Sequence, residues 1–156
     1  MKKIIRRMKR ALLVFIFSIS CTLVFAQQSI FEKYEDFKDV TTVYFSKTML
    51  GMMDAASGKN QAITKIAKKL QKLQILECEN ASLIEKIKQE SEKYYRANRY
   101  EIVMQVRNDG EHVTIFERKK GRSIPAFALL TSSKRELSII YVEGNIRLED
   151  IKALAN

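Results

Sequence analysis

The sequence predicts an α+β domain, a mainly antiparallel sheet with a C-terminal four-strand meander and helices packed on one face. Three observations carry that expectation. The second half holds four strand-like runs separated by turn signals, "YEIVMQVR", "HVTIFERK", "SIPAFALLT" and "ELSIIYVE". The first half holds two stretches with apolar residues at three- and four-residue steps, the mark of amphipathic helices. The resulting order is strand, helices, strand, helix, four-strand meander, helix, which suits helices packed on a largely antiparallel sheet.

The first element is a leader. "MKKIIRRMKR" carries six basic residues and no acid, and an apolar run from Ala11 to Ala26 follows it. A basic end, a short apolar stretch and small residues at the cut make a secretory signal peptide, expected over residues 1–26 with cleavage after Ala26. The run is too short for the roughly 20 residues that span a bilayer. An alternative cut before Cys21 leaves a lipid-anchored outer-membrane lipoprotein. Ser18 stands where that route wants a large aliphatic residue, and Leu23, Val24 and Phe25 continue the apolar run past the cysteine. Soluble release into the periplasm is the favoured route.

The leader changes the composition. The 156 residues hold 28 Lys and Arg against 18 Asp and Glu, a formal charge of +10. Six of those bases leave with the leader, so the mature chain is only mildly basic and is not expected to bind nucleic acid. Cys21 leaves too, and the remaining Cys78 has no partner for an intramolecular disulfide. Residues 27–156 suffice for one hydrophobic core, and a single domain is expected.

Along that domain, Ile30, Phe31, Tyr34 and Phe37 recur at helical spacing and predict a short docking helix. "VTTVYFS", residues 40–46, is β-branched and aromatic and reads as a strand. A short helix follows, with Ser46 as its N-cap and Met49, Leu50, Met52 and Met53 as a stripe of core residues. After the break at Gly58, the residues Ile63, Ile66, Ala67, Leu70 and Leu73 predict a helix with Lys65, Lys68, Lys69 and Lys72 on its polar side. "LQILECE", residues 73–79, reads as a strand. Asn80 then caps a helix to about Ala97 that buries Leu83, Ile84, Ile87, Ser91, Tyr94 and Tyr95.

The meander opens with Tyr100, Ile102, Met104 and Val106 on one strand face, and Asp109-Gly110 signals a type I′ hairpin. Pro125 places its strand at an edge or beside a bulge, because proline cannot donate to a ladder. Leu148, Ile151 and Leu154 mark a closing helix with Glu149 and Asp150 in its first turn.

Catalytic signatures are sparse. His112 follows the hairpin turn and reads as a solvent-facing strand residue; it is the least favoured starting point for an enzyme, in a dyad with the core residue Cys78. The glycines form no phosphate loop, and no His, Cys or acid spacing suits a metal. No catalytic residue, cofactor or metal site is assigned. Two basic groups are candidate interaction surfaces for an envelope protein or an anionic lipid surface: Lys65, Lys68, Lys69 and Lys72 on one helix, and Arg118, Lys119, Lys120 and Arg122 at one turn.

"FEKYEDFKDVTTVYFSKTMLGMM", "KLQILECEN" and the closing "IIYVEGNIRLEDIKALA" together resemble a family of small exported bacterial proteins catalogued as a domain of unknown function (number four-two-five-two). The resemblance implies a single α+β domain in the periplasm or attached to the envelope, with a link to envelope stress. It carries over no functional residue. The expectation is an exported, non-enzymatic binding or interaction domain; a carrier of lipid or another apolar ligand is the alternative, and it requires a dry cavity against the sheet.

Overall fold

Residues 29–56, 66–118, 121 and 124–152 are described by a computed structural model. The expected leader with Cys21 and Ala26, and the candidate surface residues Lys65, Lys119, Lys120 and Arg122, lie outside the described residues.

Ser29 opens the first helix, α1 (Ile30–Tyr34), with a capping box. Its hydroxyl accepts from the Glu32 N–H at 3.3 Å, and Glu32 accepts in return from the Ser29 N–H. Ile30, Phe31 and Tyr34 are buried, while Phe37 is exposed beyond the helix end. β1 (Val40–Ser46) leads into α2 (Lys47–Ala56), where the Ser46 hydroxyl accepts from the Met49 N–H as expected of the cap. β2 (Leu70–Cys78) is followed by α3 (Ala81–Ala97), capped by Asn80, whose side chain accepts from the Ser82 N–H. The expected stripe is buried through Ile84, Ile87, Ser91 and Tyr95, and the buried Ser91 hydroxyl donates back to the Ile87 carbonyl.

The meander follows as β3 (Tyr100–Asn108), β4 (Glu111–Arg118), β5 (Ala126–Ser132) and β6 (Leu137–Gly144), and α4 (Leu148–Lys152) comes last. Asp109 and Gly110 both have positive φ, +44° and +87°, and Asn108 pairs with Glu111, as a two-residue type I′ hairpin requires. All the ladders are antiparallel and the order is β1-β2-β6-β5-β4-β3. The α+β class and the four-strand meander are as expected.

The helices, expected on one face, divide between two. Alternation along β5 sends Ala126, Ala128 and Leu130 into a core with α1 and α3, and Phe127 and Leu129 into a second core on the opposite face. Leu50 of α2, Ile146 just ahead of α4 and Ile151 of α4 close that second face. Both faces of this sheet are apolar enough to need cover, which one layer of helix cannot supply.

Four further expectations are corrected. β2 begins at Leu70, so Leu70 and Lys72 belong to a strand rather than a helix; pairing of Leu70 with Gly144 and of Lys72 with Glu143 overrides the local helical spacing. The register shifts between Ile102 and Met104, so Met104 packs against the opposite core from Tyr100 and Ile102, and Val106, in step with Met104, is exposed. Pro125 sits just ahead of β5, an interior strand, where its carbonyl accepts from the Gly144 N–H and its missing donor costs nothing. Of the methionine stripe only Leu50 is buried, with Met49 and Met52 exposed; the Met53 side chain lies outside the described residues.

Candidate functional site

Strand register lays four rows of side chains across the face covered by α1 and α3. The central row, Leu76–Ile139–Leu130–Thr114, is buried beneath α3. The row nearest the end of α3 is different. Lys72 pairs with Glu143, Glu143 with Ala126, and next in register come Arg118 and its partner Tyr100. Ala126 is small, so the Arg118 guanidinium reaches over β5 toward Glu143 on β6.

The resulting network is dense. Arg118 Nη2 donates to the Tyr141 hydroxyl at 2.8 Å, the Tyr100 hydroxyl at 2.9 Å and Glu143 Oε2 at 3.4 Å. Its Nε donates to the Tyr100 hydroxyl at 3.2 Å and its Nη1 to the Ile124 carbonyl at 3.0 Å. Tyr141 donates in turn to Glu143 at 2.7 Å and accepts from Tyr100 at 3.3 Å. Most of the guanidinium's five N–H groups are therefore committed within the protein.

These groups floor a cleft of about 1060 Å³. Phe31 of α1 and its cap Ser29 stand on one side, Tyr94, Tyr95, Asn98 and Arg99 at the end of α3 on another, and Lys72 and Gln74 of β2 and Gly121 also line it. Lys72 Nζ lies 5.7 Å from the Tyr44 ring centre and 5.6 Å from that of Tyr141. Arg99 takes a positive φ of +64° where α3 gives way to β3, and its side chain is exposed at the cleft.

Two groups of the floor are held in their protonated forms, Tyr141 and Arg118. Burial raises the Tyr141 phenol, as do its hydrogen bonds with Glu143 and Tyr100, so it stays protonated at neutral pH. Burial works against the Arg118 charge, but Tyr141, Tyr100 and Glu143 outweigh it and raise the guanidinium's pKa. Tyr95, also raised by burial, stacks on Phe116 at 5.2 Å, and its enclosed hydroxyl has no hydrogen-bond partner.

Of the sequence-derived surface residues, Lys72 and Arg118 meet in this cleft. Arg118 was grouped with a solvated turn; its side chain instead lies over the sheet. Lys69 is held by Asp150, at 2.9 and 3.1 Å, and those bonds lower the Asp150 carboxyl below its usual range. Lys68 is exposed in the turn before β2. Tyr100, Tyr141, Glu143 and Arg99 were missed by sequence reasoning. The one signal was the i, i+2 spacing of Tyr141 and Glu143, which puts a phenol and a carboxylate on the same face of β6.

His112 lies elsewhere, half-buried beneath α3, where its Nδ1 accepts from Lys88 Nζ at 3.0 Å. It is not the free solvent-facing residue expected, because it shares a strand face with the buried Thr114 and Phe116. Cys78 is buried as expected, and its thiol donates to the Asn80 carbonyl at 3.7 Å. No hydrogen bond joins the two. Among the described residues no group of His, Cys, Asp and Glu is arranged to hold a metal, and no helix is long and apolar enough to cross a membrane.

Residues 34–154 match the family model described as a domain of unknown function, DUF4252. No curated protein matches, and neither does any solved structure.

Proposed function

The chain belongs to that family of domains of unknown function, and from this premise we propose that it is an exported, non-enzymatic ligand-binding domain working in the periplasm. The leader pattern supports export. The single observation that carries binding is the cleft, a concavity of about 1060 Å³ whose floor is a hydrogen-bonded Arg–Tyr–Glu network.

The same network speaks against catalysis. The phenol is kept protonated, the guanidinium is bonded to its neighbours, and the Glu143 carboxylate is already engaged by Tyr141 and Arg118. Neither His112 nor Cys78 lines the cleft. A carrier of apolar lipid needs a dry cavity, whereas here Lys72, Gln74, Asn98, Arg99, Arg118 and Glu143 face the space. Paired strands hold the floor, through Lys72, Gln74, Tyr100, Arg118, Tyr141 and Glu143, which favours a preformed site.

Two measurements test this reading. Intact-mass analysis of protein from the periplasm of exporting cells is expected to give a chain beginning at Gln27; a diacyl modification on Cys21 overturns soluble release. Native mass spectrometry of the same protein, before and after incubation with envelope extract, is expected to show a small-molecule adduct. Gln74→Trp, which places an indole in the cleft, removes that adduct while the protein remains folded. An adduct-free spectrum throughout, or an adduct indifferent to Gln74→Trp, overturns the cleft as the binding site.

A further inference from the structure

Charge within the cleft is unbalanced. Among the described residues three cations line it, Lys72, Arg99 and Arg118, against one carboxylate, Glu143. That carboxylate is already engaged, since its Oε2 accepts from Tyr141 at 2.7 Å and from Arg118 at 3.4 Å. Lys72 stands opposite Glu143 in the ladder, yet its ammonium lies within range of two tyrosine rings, and no carboxylate is within 4.0 Å of it among the described residues. Other half-buried bases behave differently: Lys69 pairs with Asp150, and Arg118 with Glu143.

Resting on the reading of this cleft as a ligand site, we infer that its ligand is an anion, a phosphate or carboxylate group attached to a flat or apolar body. Lys72 and Arg99 bind the anionic group. Lys72 is held over ring faces rather than hydrated on all sides, which strengthens its attraction for an incoming anion. The rings of Phe31, Tyr94 and Tyr141 receive the body. Glu143 does not repel the anion strongly, because Arg118 and the Tyr141 hydroxyl offset its charge. The source of the anionic group is either a free solute or a lipid head group.

Amide NMR on the mature protein tests this with four probes: phenyl phosphate, benzyl alcohol as its uncharged counterpart, inorganic phosphate, and phosphatidylglycerol vesicles. Phenyl phosphate is expected to shift the Lys72, Gln74, Asn98 and Arg99 resonances at least about tenfold more tightly than benzyl alcohol does, a factor worth about 1.4 kcal/mol. Lys72→Met and Arg99→Gln, with unfolding temperatures measured alongside, are each expected to weaken phenyl phosphate about three- to tenfold. Vesicles perturbing the same resonances identify a lipid head group as the source; a response to phenyl phosphate without one to vesicles identifies a free solute. Equal binding of benzyl alcohol overturns the anion while leaving the cleft as a ligand site. Shifts scattered over surface lysines, or no shift with any probe, mean an adventitious ion only and overturn the inference. If the native-mass adduct is missing as well, the ligand-site reading itself falls.

Discussion

Two stretches of the same sheet face obey the same alternation and end in opposite chemistry. Beneath the middle of α3, the row through Leu76, Ile139 and Leu130 is closed to water. Two register steps away, the row through Lys72, Glu143, Ala126 and Arg118 is charged and floors a cleft. Strand periodicity is identical in the two; helix cover differs. Where α3 ends at Ala97, the inward-facing positions can hold charge, because solvent and neighbouring phenols share the cost of desolvation.

Substitutions across this face sharpen that contrast, beginning with Phe116, which pairs with Ala128 in the row between the two. The largest effect is expected from Phe116→Ala, which removes a fully buried ring stacked against Tyr95 and opens a cavity under α3. A loss of about 3–5 kcal/mol in urea unfolding is expected. Arg118→Met keeps a similar side-chain length at the open end but leaves Glu143 and two phenols without their cation. It should cost about 1–3 kcal/mol, less than a deep ion pair because the guanidinium is partly solvated. A cost equal to that of Phe116→Ala breaks the contrast, since the charged row would then be working as core.

Acid titration comes next in size. Glu90 accepts from Lys33 and from the Tyr34 hydroxyl, both at 2.6 Å, and so ties α1 to α3. Burial raises the Glu90 carboxyl, but the hydrogen bonds from Lys33 and Tyr34 outweigh it and the net shift is downward. A carboxyl depressed in the folded state stabilises above its unfolded value near 4.5, and that contribution disappears as pH falls through the folded pKa. Glu90→Gln is therefore expected to cost up to about 1 kcal/mol at pH 7 and to flatten the decline in stability below pH 5. An unchanged acid limb in the variant removes Glu90 as the tie.

The smallest expected effect lies on the border between the two rows. Tyr95 is 1% exposed and its hydroxyl has no partner, so Tyr95→Phe discards a desolvated group while keeping both ring contacts. Thermal unfolding should show no loss, and a gain of up to about 1 kcal/mol. A clear loss would mean that the hydroxyl is satisfied in solution.

Much of the fold was legible because its signals are local. Asn80, Ser46 and Asp109-Gly110 act on backbone groups within three residues of themselves, and each does what its chemistry predicts. The failures are all non-local. Leu70 and Lys72 carry helical spacing, yet β6 recruits them into a ladder. The bulge between Ile102 and Met104 turns the following residues over, and no residue in "YEIVMQVR" announces it. The cleft was half legible, since Lys72 and Arg118 stood out as charges. Their partners Tyr100, Tyr141 and Glu143 come together only once register is set, with Ala126 leaving room between strands.

Strand order also bears on how the chain reaches its native state. β6 follows every other strand in the chain yet lies inside the sheet, between β2 and β5. The meander can assemble from neighbouring hairpins, whereas β2 must close a long loop to meet β6, with Leu70 reaching Gly144 and Cys78 reaching Leu137. A nascent chain that has not yet produced β6 thus holds two sheet fragments with no shared ladder. Completion waits for the last strand, and at its end Gly144 is where the fragments lock together: a Cβ there would collide with the Lys69 carbonyl oxygen and lie 2.8 Å from Leu70 Cα. The late, central strand therefore leaves the joining of the two fragments to β6 alone.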